Sequence, residues 1–380
     1  MSPSAKPRIV VLGAGFGGLE LTTQLSEALG DSIDVTLIDK NDAFVFGFSK
    51  LDVMFGHKQP EAVRLPYDAY VKPGVKLLKR TITAIDPERR RVTTNDGVFD
   101  ADYLIVALGA EYDFDATPGL AGTTEFYTVP GAERLRHILP NFSKGHAIIG
   151  VCGAPYKCPP APSECALMLH DYLVARGVRE QCEISLVLPL SSPVPPSPET
   201  SKALVEAFAE RNIRFLPSKR VASVDNARNV AVLDDGMEMP FDLFLGVPKH
   251  RVPPVVLASG MAENGWIPVN PRTLETKYEN VYAVGDGANT GTPKAGVFAE
   301  GAAKAVATAL ISKLAQRGEM VPYNGFGTCY IEFGAGRIGK VEVDFFSGPK
   351  PFGNYYEPSV ALRQDKELFG SSRKKRWFGL

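Results

Sequence analysis

The residues most suited to chemistry in this chain are thiols. Cys158 stands in Ala154-Pro155-Tyr156-Lys157-Cys158-Pro159-Pro160, where prolines stiffen the backbone on both sides. A cation beside a thiol and a helix N-terminus close to it both lower the thiol pKa, and the thiolate is the nucleophile. Lys157 is the adjoining cation. A helix is predicted from Ser163 to Arg176, with Glu164 in its first turn. Cys329, in Gly327-Thr328-Cys329-Tyr330, is the second thiol of interest. Cys152 is near enough in sequence to act as a third, resolving thiol or to be structural. Cys165 and Cys182 read as structural. Met1 to Arg8 is short and polar, without the apolar run of a secretory signal. Five cysteines in such a chain point to a reducing compartment, where a disulfide is more often catalytic than structural.

These thiols need elements to hold them, and the elements are legible. Arg8-Ile9-Val10-Val11-Leu12 is a buried strand, followed by Gly13-Ala14-Gly15-Phe16-Gly17-Gly18, a helix from about Leu19 to Leu29, and the strand Asp34–Ile38 ending in Asp39 and Lys40. This is strand, G-x-G-x-x-G, helix, strand and acid, the order of a dinucleotide-binding unit. The first glycine makes the tight turn, the second admits a pyrophosphate to the backbone N–H groups, and the third lets helix and strand pack closely. Asp39 is placed to accept hydrogen bonds from a ribose. Thr81 to Val98 alternates around Asn95-Asp96-Gly97 and predicts a hairpin.

A second α/β unit follows. Ala147–Gly150 is a strand, Glu183–Leu188 is the next, a helix covers about Ser201 to Arg211, and strands around Val221 and Val230 complete it. Its glycine turn is damaged. Gly150-Val151-Cys152-Gly153-Ala154-Pro155 has no third glycine, and Pro155, Pro159, Pro160 and Pro162 occupy the loop that would give N–H groups to a phosphate. Proline has none to give. The unit keeps its architecture and is expected to have lost its nucleotide.

The bulk properties narrow the class. With 42 basic and 43 acidic residues, no overall field steers the chain toward nucleic acid. No stretch of 18 uncharged apolar residues is present to span a membrane, and no metal-ligand cluster is expected.

Tyr103–Val106 followed by Ala107-Leu108-Gly109, and far downstream Asn280-Val281-Tyr282-Ala283-Val284-Gly285-Asp286 with Lys294 and Ala295 opening a helix, resemble the further FAD segments of flavoproteins with two dinucleotide-binding domains. In that superfamily the aspartate matching Asp286 binds the ribityl chain. Tyr-Lys-Cys-Pro-Pro-Ala-Pro-Ser-Glu, followed much later by Thr-Cys-Tyr, is similar to the sulfide:quinone oxidoreductase and flavocytochrome c sulfide dehydrogenase family, across essentially the whole chain. The resemblance implies an α/β fold of two Rossmann-like domains, the second inserted in the first. Residues 1–118 and 246–320 would form the FAD-binding domain, 119–245 the second Rossmann-like domain, and 321–380 a C-terminal α+β region. It further implies a redox disulfide of Cys158 and Cys329 over the flavin, with Glu164 moving protons. Sulfide would meet Cys158 first and leave it as a persulfide, and Cys329 would lie nearer the flavin. Relatives with covalent FAD carry a cysteine in the region matching Phe44–Ser49; none stands there, so non-covalent FAD is implied.

The electron exit is less defined. Tyr330, Phe333, Phe345, Phe346, Phe352, Tyr355 and Tyr356 suit either a quinone pocket or an ordinary core. His250 and Arg251 suit either a role at the flavin or loop structure. Arg373-Lys374-Lys375-Arg376-Trp377-Phe378 suits an anionic membrane surface, which would put the protein in the cytoplasm, peripheral on the inner face of the cell membrane. Three readings stand: sulfide oxidation with quinone reduction, a type II NADH:quinone oxidoreductase, and a non-turnover flavin and disulfide redox sensor. The small thiol or persulfide partner and the oligomeric state, a homodimer included, stay open.

Overall fold

The computed structural model describes residues 6–316 and 318–380; Met1–Ala5, part of the polar N-terminal stretch, lies outside them. In chain order, β1 (Arg8–Leu12), α1 (Phe16–Leu29), β2 (Asp34–Asp39), β3 (Val75–Lys79) and β4 (Tyr103–Val106) come first. The second unit supplies β5 (Thr124–Glu125), β6 (Gly145–Val151), α2 (Ala161–Ala175), β7 (Cys182–Leu188), α3 (Pro198–Glu210), β8 (Ile213–Pro217) and β9 (Leu243–Val247). The chain then returns through β10 (Val281–Ala283) and α4 (Gly296–Ala315), and ends in β11 (Phe326–Glu332), β12 (Ile338–Asp344), β13 (Phe352–Ser359) and α5 (Leu362–Arg373).

Two parallel sheets organise these elements. The first has the order β10-β4-β1-β2-β3 and the second β5-β9-β6-β7-β8. Strand β10 pairs with β4 (Val281↔Leu104 to Ala283↔Val106), so the first sheet is completed only after the second has been made. Continuous apolar runs such as Ile9–Leu12 and Leu186–Leu188 are buried, as strands covered on both faces require. The third sheet, β11-β12-β13, is antiparallel. Strand β9 runs two residues past position 245, so the expected domain border at 246 falls inside a strand.

Local departures have local causes. Helix α1 begins at Phe16, three residues before the expected start, because the glycine turn leads straight into it: the Leu19 N–H donates to the Gly15 carbonyl at 3.0 Å. The Thr81–Val98 region is a three-stranded meander, Ile82–Asp86, Arg91–Thr94 and Gly97–Asp100, with Asn95-Asp96 turning between the last two strands. The strands at Val221 and Val230 do not extend the second parallel sheet. They form a separate antiparallel sheet with Glu238–Pro240, because the four residues between them are too few for the crossover that a parallel pair needs.

Candidate active site

The glycine turn opens the site. Gly13 has φ +99°, and a Cβ there would lie 2.5 Å from the Ala107 carbonyl oxygen. A Cβ at Gly18 would overlap the Gly13 carbonyl oxygen, whereas at Gly15 it would meet nothing within 4 Å. The three glycines therefore make the turn, leave backbone N–H groups open, and let α1 close on β1. Asp39 Oδ2 accepts the Ala14 N–H at 2.7 Å and Oδ1 accepts the Asn41 N–H at 2.8 Å, fixing the carboxylate beside the turn. The turn faces a cavity of about 720 Å³ that is also lined by Phe16, Ala107, Gly109, Gly285, Asp286, Lys294 and Ala295. The volume lies in the range of about 300–1,000 Å³ common for ligand sites. The N-terminus of the 20-residue helix α4 opens on the same cavity, and its free N–H groups favour negative charge. These residues fit an extended dinucleotide.

The floor of the cavity carries buried charge. Burial raises the Asp286 carboxyl, while Lys157, Lys294 and Lys50 pull it down. Burial brings Lys294 down to about 8 against the opposing pull of Asp286; its ammonium donates to the Ala288 carbonyl at 3.2 Å and lies over the Trp266 ring.

Both thiols reach this cavity from different parts of the chain. The Cys158 N–H donates to the Lys294 carbonyl at 2.8 Å, and Lys157 and Lys294 form a parallel bridge. The cysteine loop of the second unit is thus stitched to the segment that opens α4. Cys329 arrives on β11, and Thr328, Cys329 and Tyr330 line the same space. Glu164, in the first turn of α2, is 2% exposed and accepts the Glu332 N–H at 3.0 Å, which ties α2 to the end of β11. Burial lifts Glu164 to about 7, opposed by Lys366 and by the Glu332 N–H. Burial also pushes up both thiols, Cys329 to about 12, with the Glu164 charge adding to each. Cys158 and Cys329 are free thiols in this structure. A carboxyl that titrates near neutrality beside two thiols can take and return their protons.

Several expectations are corrected. Lys157 does not act on Cys158: its ammonium donates to the Ala110 carbonyl at 2.9 Å and sits 4.1 Å above the Tyr112 ring. Cys158, at φ +50°, departs from the ordinary backbone course at this point. The cations that lower the Cys158 thiol are Lys50 and Lys366, and burial outweighs them. Lys40 is exposed, pairs with Glu111 at 2.7 Å and does not line the cavity. Gly18 serves packing only. Cys152 is fully buried, with its thiol pushed up to about 12 chiefly by burial, and lies away from the cavity.

Of the seven C-terminal aromatics singled out in the sequence, Tyr330 lines the cavity and the other six do not. Phe333 is in the core, Phe345 packs on Phe298, Phe346 packs on Tyr323, and Phe352 and Tyr356 are exposed. His250 is buried with Nδ1 on the Pro248 carbonyl at 2.8 Å, and Arg251 pairs with Asp113 at 3.1 Å. Neither lines the cavity. Trp377 and Phe378 are 1% and 5% exposed, packed on the first unit rather than free to enter a bilayer. Arg373 and Arg376 are engaged by Glu300, Glu20 and Glu27.

Residues missed by sequence reasoning complete the cavity: Lys50, Phe48, Tyr127, Lys366 and Phe369. Phe369 packs edge-on against both Phe48 and Tyr330, and the Lys366 ammonium lies 5.5 Å from the Phe48 ring centre and 2.7 Å from Glu332. Lys366 and Phe369 sit three apart on α5, which places both on one helix face. That spacing was the available signal, but without a known partner it looks like any amphipathic helix.

Comparison with known proteins agrees with this geometry. The chain is 25% identical to the mitochondrial sulfide:quinone oxidoreductase of Mus musculus over 358 residues, covering 90% of this chain and 79% of that protein. It is 26% identical to the sulfide-quinone reductase of Aquifex aeolicus, covering 86% and 81%. The crystal structure of the Aquifex aeolicus sulfide:quinone oxidoreductase superposes with a TM-score of 0.86 at 25% identity, covering 98% of this chain and 92% of that one. The type II NADH:quinone oxidoreductase of Staphylococcus haemolyticus is 32% identical, but over only 36% of this chain. The sequence profile of the pyridine nucleotide-disulphide oxidoreductases matches residues 7–309, and the chain therefore belongs to that family.

Proposed function

We propose that this protein oxidises sulfide to sulfane sulfur through a Cys158–Cys329 redox disulfide and reduces a quinone, with non-covalently bound FAD between the two. The observation that carries this reading is the meeting of Cys158, Cys329 and Glu164 in the cavity lined by the dinucleotide segments. Gly13, Gly15, Asp39, Ala107, Gly109, Gly285, Asp286, Lys294 and Ala295 would hold the FAD. The absence of a cysteine between Phe44 and Ser49 supports its non-covalent attachment. A bound FAD would supply the two-electron acceptor that restores the disulfide and hands the electrons to quinone.

The chain's own part is thiol exchange. HS⁻ attacks the disulfide at Cys158; a new S–S bond forms, the Cys158–Cys329 bond breaks, and Cys329 leaves as a thiolate. The persulfide keeps its proton until its outer sulfur has been transferred. A second sulfide or small thiolate takes the outer sulfur and leaves Cys158 as a thiolate, and Glu164 then takes that proton. Phe48, Tyr330 and Phe369 are flat apolar surfaces suited to a quinone ring, and Lys366 is a donor suited to its oxygen.

The second unit offers no comparable nucleotide cradle. A Cβ at Gly153 would lie 2.9 Å from Lys249 Cγ, so that side chain covers the turn, and it is tethered to the Ala116 carbonyl. Sheet membership supports three units close to 1–118 with 246–320, 119–245 and 321–380. Among the described residues no helix is long and apolar enough to cross a membrane. We read the protein as peripheral on the inner face of the cell membrane, touching anionic lipid through exposed Leu368, Lys374, Lys375 and Leu380.

Anaerobic stopped-flow spectroscopy tests the proposal. Sulfide should bleach the flavin absorbance and NADH should not; soluble quinone should restore it repeatedly. Cys158→Ser and Cys329→Ser should each keep the yellow flavin and lose sulfide bleaching by at least about a thousandfold, the scale on which loss of a covalent nucleophile acts. Bleaching by NADH alone, or near-normal rates in both variants, would sink the reading; a single reduction without quinone turnover would mark a sensor.

A further inference from the structure

We propose that the C-terminal strap Arg373–Phe378 is a lock on the first dinucleotide site, with Trp377, Arg373 and Arg376 as its positioning residues. The inference rests on the reading of that site as the FAD site. Trp377 stands edge-on against Phe16 and Phe44, at 5.7 and 5.5 Å between ring centres. Phe16 and Phe44 line the cavity, and Phe16 directly follows Gly15 in the turn. Trp377 itself does not line the cavity. It backs the rings that do, so its influence on a bound cofactor passes through them.

The strap's polar groups make the same connection. Glu20 on α1 and Glu300 on α4 are buried acids, 4% and 7% exposed. Trp377 Nε1 donates to Glu20 at 2.9 Å, and Arg376 donates to Glu20 at 3.2 Å and to Glu27 at 2.9 Å. Arg373 donates to both oxygens of Glu300, at 2.6 and 2.8 Å. Without the strap Glu300 would have none of its protein partners, and Glu20 would keep only Gln24 at 2.7 Å. A buried carboxylate without partners is strongly unfavourable. Both helices bound in this way open their N-termini on the cavity, and they meet there: a Cβ at Gly296 would lie 2.7 Å from the Phe16 ring. A strap that fixes α1, α4 and the Phe16 ring together therefore fixes the shape of the site.

The test compares wild type, Trp377→Ala, Trp377→Phe, Arg373→Gln and a chain ending at Ser372. Two quantities are measured: the rate of FAD release on dilution, followed by flavin fluorescence, and the unfolding midpoint with and without added FAD. Trp377→Ala and the truncation should release FAD at least about tenfold faster than wild type, and the gap between the two midpoints should narrow, since that gap reports the affinity. Trp377→Phe, which keeps an apolar ring and loses the N–H, should fall between. Arg373→Gln leaves Trp377 in place and should act in the same direction, which keeps the test decisive where Trp377→Ala does not fold. Unchanged release with both midpoints lowered equally would overturn the lock and leave the FAD reading intact. A wild-type chain that takes up no FAD would overturn both.

Discussion

Glu164 shows how burial makes a residue useful. An exposed glutamate would be ionised throughout the neutral range, but enclosure behind the two thiols lifts this one from 4.5 to about 7. The folded protein then binds its proton more tightly than the unfolded chain does. Its contribution to stability is complete below about pH 4.5 and fades as the pH rises through about 7. Glu164→Gln removes that ionisation, so between pH 4.5 and pH 8 its stability should fall by about 3 kcal/mol less than that of wild type, at about 1.4 kcal/mol per pKa unit. Urea unfolding of the cofactor-free protein at several pH values checks this; parallel curves for the two proteins would contradict it. In turnover, the variant should also lose the rise in rate around neutral pH. The two thiols of the cavity depart from the sequence expectation because a neighbour in sequence is not a neighbour in charge. Lys157 adjoins Cys158, yet its ammonium is committed elsewhere, and Lys50 and Lys366, 108 and 208 positions away, are the cations that act on the sulfur.

Among the elements, the β1–α1 turn separates packing from ligand binding within one motif. The different roles the fingerprint gives Gly15 and Gly18 appear in the space around them: a Cβ at Gly15 would face open space, and one at Gly18 would meet the Gly13 carbonyl. Gly15→Ala should therefore fold as wild type does without cofactor, with an unfolding midpoint inside the usual scatter of surface changes, about 0.5 kcal/mol, and should fail to retain FAD. Gly18→Ala should lose several kcal/mol of stability even without cofactor, because its methyl has only backbone to displace. Equal stability of the two variants would contradict this division. Elsewhere, α2 and β11 act as a pair: the Glu164 carboxylate on one accepts an N–H from the other, and so aligns the strand that delivers Cys329.

At the scale of the molecule, the cavity belongs to no single unit. The glycine turn comes from the start of the chain, Cys158 from the second unit, Asp286 and α4 from the return, and Cys329, Lys366 and Phe369 from the end. The C-terminal segment faces both ways, with Trp377 and Phe378 inward and Lys374, Lys375 and Leu380 outward. Contact with a bilayer then needs no undocking. Leu368→Glu combined with Lys374→Ala and Lys375→Ala should weaken co-sedimentation with phosphatidylglycerol vesicles by at least about tenfold, as loss of two charges worth roughly 1 kcal/mol each at an anionic surface implies, while FAD content stays unchanged. Undiminished vesicle binding would remove the outer face as the contact.

What the sequence determined by itself was whatever depends on local order: the glycine turn with its acid, the apolar strands of two α/β units, and the damaged second fingerprint. Each is a short pattern whose physical requirement is met by neighbours along the chain. That Cys158 and Cys329 reach one cavity was legible only through resemblance, since 171 positions separate them. Tertiary structure alone decided the rest. It turned Lys157 away from the thiol, buried Trp377 against Phe16, and brought Lys50 and Lys366 to the sulfur. A side chain's direction and its enclosure depend on what the rest of the chain packs around it, and no spacing along the sequence encodes that. The basic tail illustrates the difference: four consecutive cations beside aromatics read alike in sequence, yet Arg373 and Arg376 are paired with Glu300 and Glu20 while Lys374 and Lys375 are exposed.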